Sequence, residues 1–399
     1  MKTNIESDIL TVYLEGRIDS NNAEDMEKEL TGCVESHNTG IVLDAEGLTY
    51  ISSAGLRVLM KIQKSRKDKL MVINASPVIY DIFETTGFTE IMKVHKTIRE
   101  IKLSSEEVIG RGATATVYRM DDDTVVKVFN NRISLQMVLR EREFARKAFL
   151  VGIPALITYD VVKIKDCFGI VLEMAKGSVL SEKLNNVAVD KADVYKNYAG
   201  LLKTINNTHM KKGEFPNAKD IYHRYVDAAT YLDEEQKKKL HKLINTLPDK
   251  NTILHGDFHA NNVMYQDGEM VVIDLTDVSC GSPLFDLASM YVSHIAVGGY
   301  NPDFIKAGMG ITYDMCLTLW DEFLKNYFSG EPAQEIEQKK DLIRRFAMLK
   351  QALMYTIAPG LDRYLGWKPF EDACKVLFDA ESYSQLIEDL SNYKEKKHE

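Results

Sequence analysis

From residue 255 to 274 the chain reads His-Gly-Asp-Phe-His-Ala-Asn-Asn-Val-Met-Tyr-Gln-Asp-Gly-Glu-Met-Val-Val-Ile-Asp, and no other stretch restricts fold and chemistry so tightly. Val263-Met264-Tyr265 and the apolar run ending on Asp274 flank Asp267-Gly268, a dipeptide that closes tight hairpins. A hairpin here returns Asp274 to the end where Asp257 and Asn262 sit, so two carboxylates and an amide border one small volume. Phosphoryl transfer needs such a set, because its barrier is met by positioning and charge neutralisation: a carboxylate to orient the attacking hydroxyl, and oxygen ligands for Mg²⁺. Two other readings are an ordinary polar hairpin and a zinc site on His255 and His259, four apart. Gly256 and the following strand argue against the helix that would put both histidines on one face.

The rest of the chain supplies context. A length of 399 residues accommodates two or three domains, and 45% hydrophobic with 27% charged residues is a globular composition. No apolar run approaches the roughly 20 residues of a membrane span, and Met1-Lys2-Thr3-Asn4-Ile5-Glu6 lacks a signal-peptide core. Cys33, Cys167, Cys280, Cys316 and Cys374 are odd in number and unpaired in spacing, the usage of reduced thiols in a cytoplasmic protein. A net charge of −9 disfavours nucleic acid and anionic membrane as partners.

Residues 1–103 alternate strand and helix. Ile9 to Gly16, Gly40 to Asp44 and Leu70 to Asn74 read as strands; Asn21 to Glu35, Ser52 to Ser65 and Pro77 to Thr86 read as helices, the last stopped by Gly87. Such alternation implies a sheet covered by helices. The stretch from Leu43 to Leu59 brings Ser52 and Ser53 to a helix start, where unpaired amides and the dipole favour a negative group; by chemistry alone this is an N-cap. The segment also resembles the STAS domains of anti-sigma factor antagonists, whose Asp-Ser-(Ser/Thr)-Gly-Leu turn carries a serine that a partner kinase phosphorylates. Gly16-Arg17-Ile18-Asp19 and Thr86-Gly87-Phe88 fit the same pattern. The resemblance implies a protein-binding module with Ser53 at the phosphorylated position, although Ser52 and Ala54 depart from the family's Asp and Ser.

A second module, residues 104–399, follows without a long Pro/Gly/Ser linker. It opens with Gly110-Arg111-Gly112-Ala113-Thr114-Ala115 between two strands, and Val125-Val126-Lys127-Val128-Phe129 comes next. Glycines let backbone amides approach a polyphosphate, and a strand lysine reaches the same oxygens. Gly-x-Gly alone is a hairpin turn; with the lysine strand at this distance, two independent features fall where one chemistry needs both. Ala115 replaces the usual third glycine, leaving the loop less free to close. Leu135 to Val151 reads as a helix ended by Gly152-Ile153-Pro154. One of its carboxylates is placed to pair with Lys127, Glu141 first and Glu143 as the alternative; the other reading is a solvated charged face. Phe168 to Gly177 is a strand running into a connector.

In order, glycine loop, strand lysine, helix glutamate, connector, His-Gly-Asp…Asn and strand-borne Asp resemble the protein-kinase-like superfamily, and within it the aminoglycoside and choline phosphotransferases. Gly256 and His259 stand where protein kinases have Arg and Lys, Leu275-Thr276 stand for Phe-Gly, and no Ala-Pro-Glu follows. These departures point to a kinase of small molecules. The resemblance implies a bilobal fold with an N-lobe over about 104–176 and a mainly helical C-lobe over about 177–399, so that the whole chain is α/β followed by α+β. It implies ATP or GTP with Mg²⁺ as cofactors, Asp257 as catalytic base, Asn262 and Asp274 as metal ligands, and Lys127 on the phosphates, braced by Glu141. Gly110, Gly112 and Thr114 would cover the phosphates and the backbone of Glu173 to Ala175 would meet the base. Asp286 resembles the family's Asp that holds the catalytic loop, its other reading being a helix N-terminal acid, and His255 orients the loop as well.

Residues 180–247 and 286–397 read as mostly helical and do not by themselves assign a pocket for the accepting alcohol. Trp320, Tyr355 and Trp367 suit either an aromatic cage for a quaternary amine or plain core. Two functions fit. The first is a phosphotransferase acting on a hydroxyl of a small sugar, aminoglycoside or amino-alcohol, with the STAS module as regulator or oligomerisation element. The second is a signalling protein of the anti-sigma antagonist type, whose kinase-like module phosphorylates a protein serine, Ser53 included, or senses nucleotide. The intact Lys127, Asp257, Asn262 and Asp274 argue against a dead kinase.

Overall fold

A computed structural model describes residues 1–6, 9–35, 40–66, 68–103, 107–112, 114–266 and 268–393. These form two compact units, one of Met1–Lys102 with Val162–Asp166, the other of Leu103–Val161 with Cys167–Glu399. Ala113 of the glycine loop, Asp267 of the hairpin turn and residues 104–106 at the module boundary lie outside the described residues.

In the first unit five strands lie in the order Lys2–Glu6, Ile9–Tyr13, Gly40–Asp44, Met71–Ala75 and Lys93–Lys96, the first pair antiparallel and the others parallel. Leu10 and Val12 alternate inward from one strand, whereas Ile41 to Asp44 are buried throughout, as a central parallel strand requires. Helices Ala23–Glu35, Ser53–Lys64 and Pro77–Thr85 close the core around Leu43, Leu59, Val72 and Phe83. Ser76 caps the third of these with Pro77 behind it, and Gly87 takes φ +77° just past its end. The sheet covered by helices matches the reading from sequence. That reading lacked the strands Lys2–Glu6 and Lys93–Lys96, whose short, polar sequences have no alternating apolar pattern because each occupies a sheet edge.

In the second unit, Cys167–Glu173, Thr124–Phe129, Ala115–Arg119 and Val108–Arg111 lie side by side in that order. Helix Leu135–Leu150 packs on this sheet, its N-cap Ser134 accepting from the Met137 amide at 3.4 Å. Below it is a helical lobe built on Lys191–Asn207, Tyr313–Tyr327 and the long helix Ala333–Ile357, packed about Tyr198, Phe323 and Phe346. Into its top is set the hairpin Val263–Gln266 with Glu269–Val272, in register Val263↔Val272. A sheet lobe over a mainly helical lobe is the expected kinase-like arrangement. Trp320 is buried against Tyr291 and Phe323, while Tyr355 and Trp367 meet each other and Tyr231, so these aromatics belong to two separate clusters and form no common cage.

Candidate active site

Short strands Ile253–Leu254 and Ser279–Cys280 pair antiparallel, which lays the segment leaving residue 254 beside the one entering 279. Gly256 turns between them at φ +84°, and a Cβ there would lie 2.4 Å from the Asp277 carbonyl oxygen, so only glycine fits. Asp286, buried in helix Leu284–Met290, fixes this turn. Its Oδ2 accepts from the His255 amide at 2.9 Å and from Asn206 Nδ2 at 2.8 Å, and its Oδ1 accepts from the Gly256 amide at 2.7 Å. The Tyr327 hydroxyl donates to Asn206 Oδ1 at 2.9 Å. Hydrogen bonds to a charged acceptor contribute about 1.5–3 kcal/mol each, so the loop is anchored from below. His255 is fully buried and packs edge-on to Phe258, its Nδ1 facing the Asp257 amide at 3.4 Å.

The Asp257 side chain is 47% exposed and faces the cleft. Asn262 Nδ2 donates to the Asp257 carbonyl at 2.9 Å and lies 3.4 Å from its Oδ2, leaving the Asn262 amide oxygen as an acceptor. His259 Nδ1 accepts from the Asn261 amide at 3.2 Å, which puts the ring proton on Nε2, 3.4 Å from Asp257 Oδ2. Burial opposes the Asp257 charge, but the His259 hydrogen bond and the electrostatic influence of His259, Lys350 and His255 outweigh it and hold the carboxyl well below the usual range.

Lys127 brings the sheet lobe to this cleft. Its Nζ is 2.7 Å from Glu141 Oε1 and 3.3 Å from Asp274 Oδ2. Burial works to lower the Lys127 pKa, yet Asp274 and Glu141 raise it, and the amine is an ammonium. Glu141 rather than Glu143 makes the pair; Glu143 instead binds Lys147, 3.0 Å away. The reason is helical phase: Glu141 shares the buried face of Val138, Phe144, Ala145 and Ala148. Thr276 joins the two acids, its Oγ1 2.8 Å from Glu141 Oε2 and 2.6 Å from Asp274 Oδ1. Asp274 holds φ +63°, a left-handed conformation that costs free energy for a residue with a side chain.

Across the cleft the chain is less constrained. Gly110 and Gly112 have ordinary φ, and an added Cβ would meet nothing nearer than 3.7 Å at either. Their own packing therefore does not demand glycine. Thr114 lies at the tip, its carbonyl accepting from the Asn130 amide at 2.9 Å. In the connector, the Glu173 amide donates to Ile157 at 2.9 Å and the Met174 amide to Asp123 at 2.8 Å, so neither of these donors faces a ligand. Ala175 follows directly. In the first unit Ser52 is the N-cap, accepting from the Ala54 amide at 3.2 Å, and Ser53 is exposed as the first helical residue. Gly55 is forced by packing, since a Cβ would stand 2.5 Å from Ile18 Cγ2.

Among the expected residues the structure thus joins Lys127, Glu141 and Asp274 by direct contact, and Asp257 to Asn262, with His255 and Asp286 beneath. Sequence reasoning missed Thr276, Asn206 and Lys350. Asn206 carried a signal: it is a buried amide on the helix of Tyr198, Leu202 and Ile205, and such a group needs a partner.

The sequence model of the phosphotransferase enzyme family matches residues 105–314, and that of the STAS domain matches residues 1–101. The chain belongs to the phosphotransferase enzyme family and carries a STAS domain ahead of that match. The protein BtrV of Bordetella bronchiseptica, described as an anti-sigma factor antagonist, is 37% identical over 89 residues, 22% of this chain and 77% of its own. Among solved structures, a choline/ethanolamine kinase family protein from Mesorhizobium loti superposes with a TM-score of 0.48 at 15% identity, over 73% of this chain and 94% of the other. The streptomycin–ATP–APH(2")-IIa ternary complex superposes with a TM-score of 0.45 at 18% identity, over 76% and 97%.

Proposed function

We propose that the module beginning near residue 104 is a Mg²⁺-dependent kinase that moves the γ-phosphoryl group of ATP or GTP to a hydroxyl of a small molecule. The observation that carries this reading is the convergence of the Lys127 ammonium, 3.3 Å from Asp274, on the cleft that also holds Asp257 and Asn262. Lys127 binds donor phosphates and Glu141 keeps it extended; Gly110, Gly112 and Thr114 cover the phosphates, and the connector from Glu173 to Ala175 borders the base. The Asn262 amide oxygen and the Asp274 carboxylate are the hard oxygen donors that Mg²⁺ takes alongside phosphate and water, so the residues fit that ion. When bound it neutralises the charge on the phosphate oxygens.

Asp257, held ionised, accepts a hydrogen bond from the acceptor hydroxyl and orients it. The hydroxyl oxygen bonds to the γ-phosphorus as the bond to the β–γ bridging oxygen breaks. The electron pair leaves on the nucleoside diphosphate, and the hydroxyl proton passes to Asp257. His259 fixes the carboxylate, and Asp286 with His255 fixes the loop that carries it.

The STAS module is the protein-binding, regulatory element of this reading, with exposed Ser53 as its candidate phosphorylation site. Incubation of the full chain with Mg²⁺ and γ-labelled ATP tests the assignment. Label in a small-molecule phosphomonoester, abolished by Asp257→Asn, is the expected result. Label only on Ser53 or on a partner protein would replace it with protein phosphorylation.

A further inference from the structure

Beside the cleft, within the kinase unit, lies a cavity of about 460 Å³, a size that suits a small-molecule ligand. Gly256, Thr276 and Asp277 line its side toward the catalytic segments, Phe285 and Asp286 its floor, and helices Leu135–Leu150, Ala218–Ala228 and Ala333–Ile357 also face it. Each of those helices contributes a cation: Arg140, Arg224 and Lys350. Among the described residues none of the three lies within 4.0 Å of a carboxylate. Arg140 rests over the Phe144 ring at 5.0 Å, and the Lys350 ammonium touches Ser289 Oγ and lies 3.5 Å from the Gly256 carbonyl.

The acids of the lining do not balance these charges. Glu141 is committed to Lys127 and Thr276, and Asp286 to the amides of His255 and Gly256. Only Asp277 remains. In a chain where Asp and Glu outnumber Lys and Arg by 59 to 50, a cavity with three unpaired cations against one unpaired acid is a local inversion of charge. An anion entering that space would meet cations from three helices at once, and its attractions to them add. Two guanidinium groups suit a phosphate or carboxylate, because their planar donors pair with such oxygens.

We propose that this cavity is the acceptor subsite and that its ligand is a small alcohol bearing an anionic group, phosphate or carboxylate, rather than a cationic amino-alcohol. The proposal rests on the phosphotransfer reading above and adds the substrate class. The anionic end sits among Arg140, Arg224 and Lys350, and the hydroxyl end reaches past Gly256 and Thr276 to Asp257. A cationic end placed in the cavity would meet three cations and, within the lining, only Asp277 to pair with.

The test is calorimetric, on the full chain saturated with Mg·ADP so that the nucleotide site is filled. Glycerol 3-phosphate and D-glycerate are titrated as phosphate and carboxylate probes, with glycerol as neutral and choline as cationic comparison. Binding of either anionic probe, at least about tenfold tighter than glycerol or choline and weakened about tenfold by Arg140→Gln or by Arg224→Gln, is the expected result. Both arginines are exposed, so these variants keep the fold. Which anionic probe binds tells phosphate from carboxylate. Tighter binding of choline, equal binding of all probes, no binding by any, or affinities unmoved by both substitutions would overturn the inference. Failure of Mg·ADP itself to bind would instead remove the phosphotransfer reading beneath it.

Discussion

The two walls of the cleft are built by opposite rules. On the catalytic-loop side the fold dictates each residue: Gly256 has no room for a Cβ, and Asp286 satisfies two backbone amides and Asn206 at once. On the glycine-loop side the fold dictates little, since Gly110 and Gly112 have ordinary φ and a Cβ at either would make only ordinary contacts at 3.7 Å. A residue that the chain's own packing does not explain is explained by something that comes and goes. The difference separates a preformed platform, which holds Asp257, Asn262 and Asp274, from a glycine loop that nucleotide would order under the proposed function.

The sharpest way to break this contrast is Asp257→Asn. The substitution should lower kcat by about 10²–10⁴-fold while the nucleotide Kd moves less than about threefold, because the lost group acts on the acceptor hydroxyl. Comparable losses in both would mean that the platform binds nucleotide through Asp257. Next, Asp286→Ala removes the acceptor for three buried donors and should cost about 3–5 kcal/mol, read as a drop in the urea midpoint at unchanged slope. A loss below about 1 kcal/mol would show that the platform is not held from beneath.

A third, smaller effect concerns pH. Burial keeps the His294 imidazole neutral and pulls its pKa from 6.5 to about 4. The unfolded histidine takes up a proton below about pH 6.5 and the folded one does not until about pH 4, so stability falls as pH drops through that window and levels off beneath it. The full difference approaches about 3 kcal/mol. Urea midpoints measured from pH 7 to 4 should fall accordingly, and more shallowly in His294→Gln; equal slopes would exclude this histidine as the cause. The smallest effect belongs to the glycine loop. Gly112→Ala should leave stability within about 0.5 kcal/mol, since nothing within 3.7 Å meets the new methyl, yet raise the KM for ATP several-fold. A large loss of stability would put the glycine loop under the same rule as the platform.

How much of this was readable in the chain follows from the same contrast. The hairpin, the loop before it and the lysine strand were legible because turn chemistry and alternation are local, as were the three long helices of the first unit, with the serine start of the second and the Gly87 stop of the third. Glu141 was separable from Glu143 in principle, since it keeps step with Val138, Phe144 and Ala148 at helical spacing. The edge strands Lys2–Glu6 and Lys93–Lys96 were not legible, because half-exposed polar strands show no period. Nor were the π-helical turn Tyr291–Ala296, which has no sequence signature, or the convergence of Arg140, Arg224 and Lys350 from helices far apart in sequence. Contacts of that range exist only once the lobes have packed.

The central claim is that Lys127, Asp257, Asn262 and Asp274 serve one nucleotide. It is tested most directly by titrating ADP into the full chain by calorimetry, with and without Mg²⁺, for the native sequence and for Lys127→Met, Asp274→Asn and Asp257→Asn. Binding should require Mg²⁺, weaken at least about tenfold in the first two variants and persist in the third. Tight binding that ignores both Mg²⁺ and Asp274→Asn, or no binding at all, would contradict it.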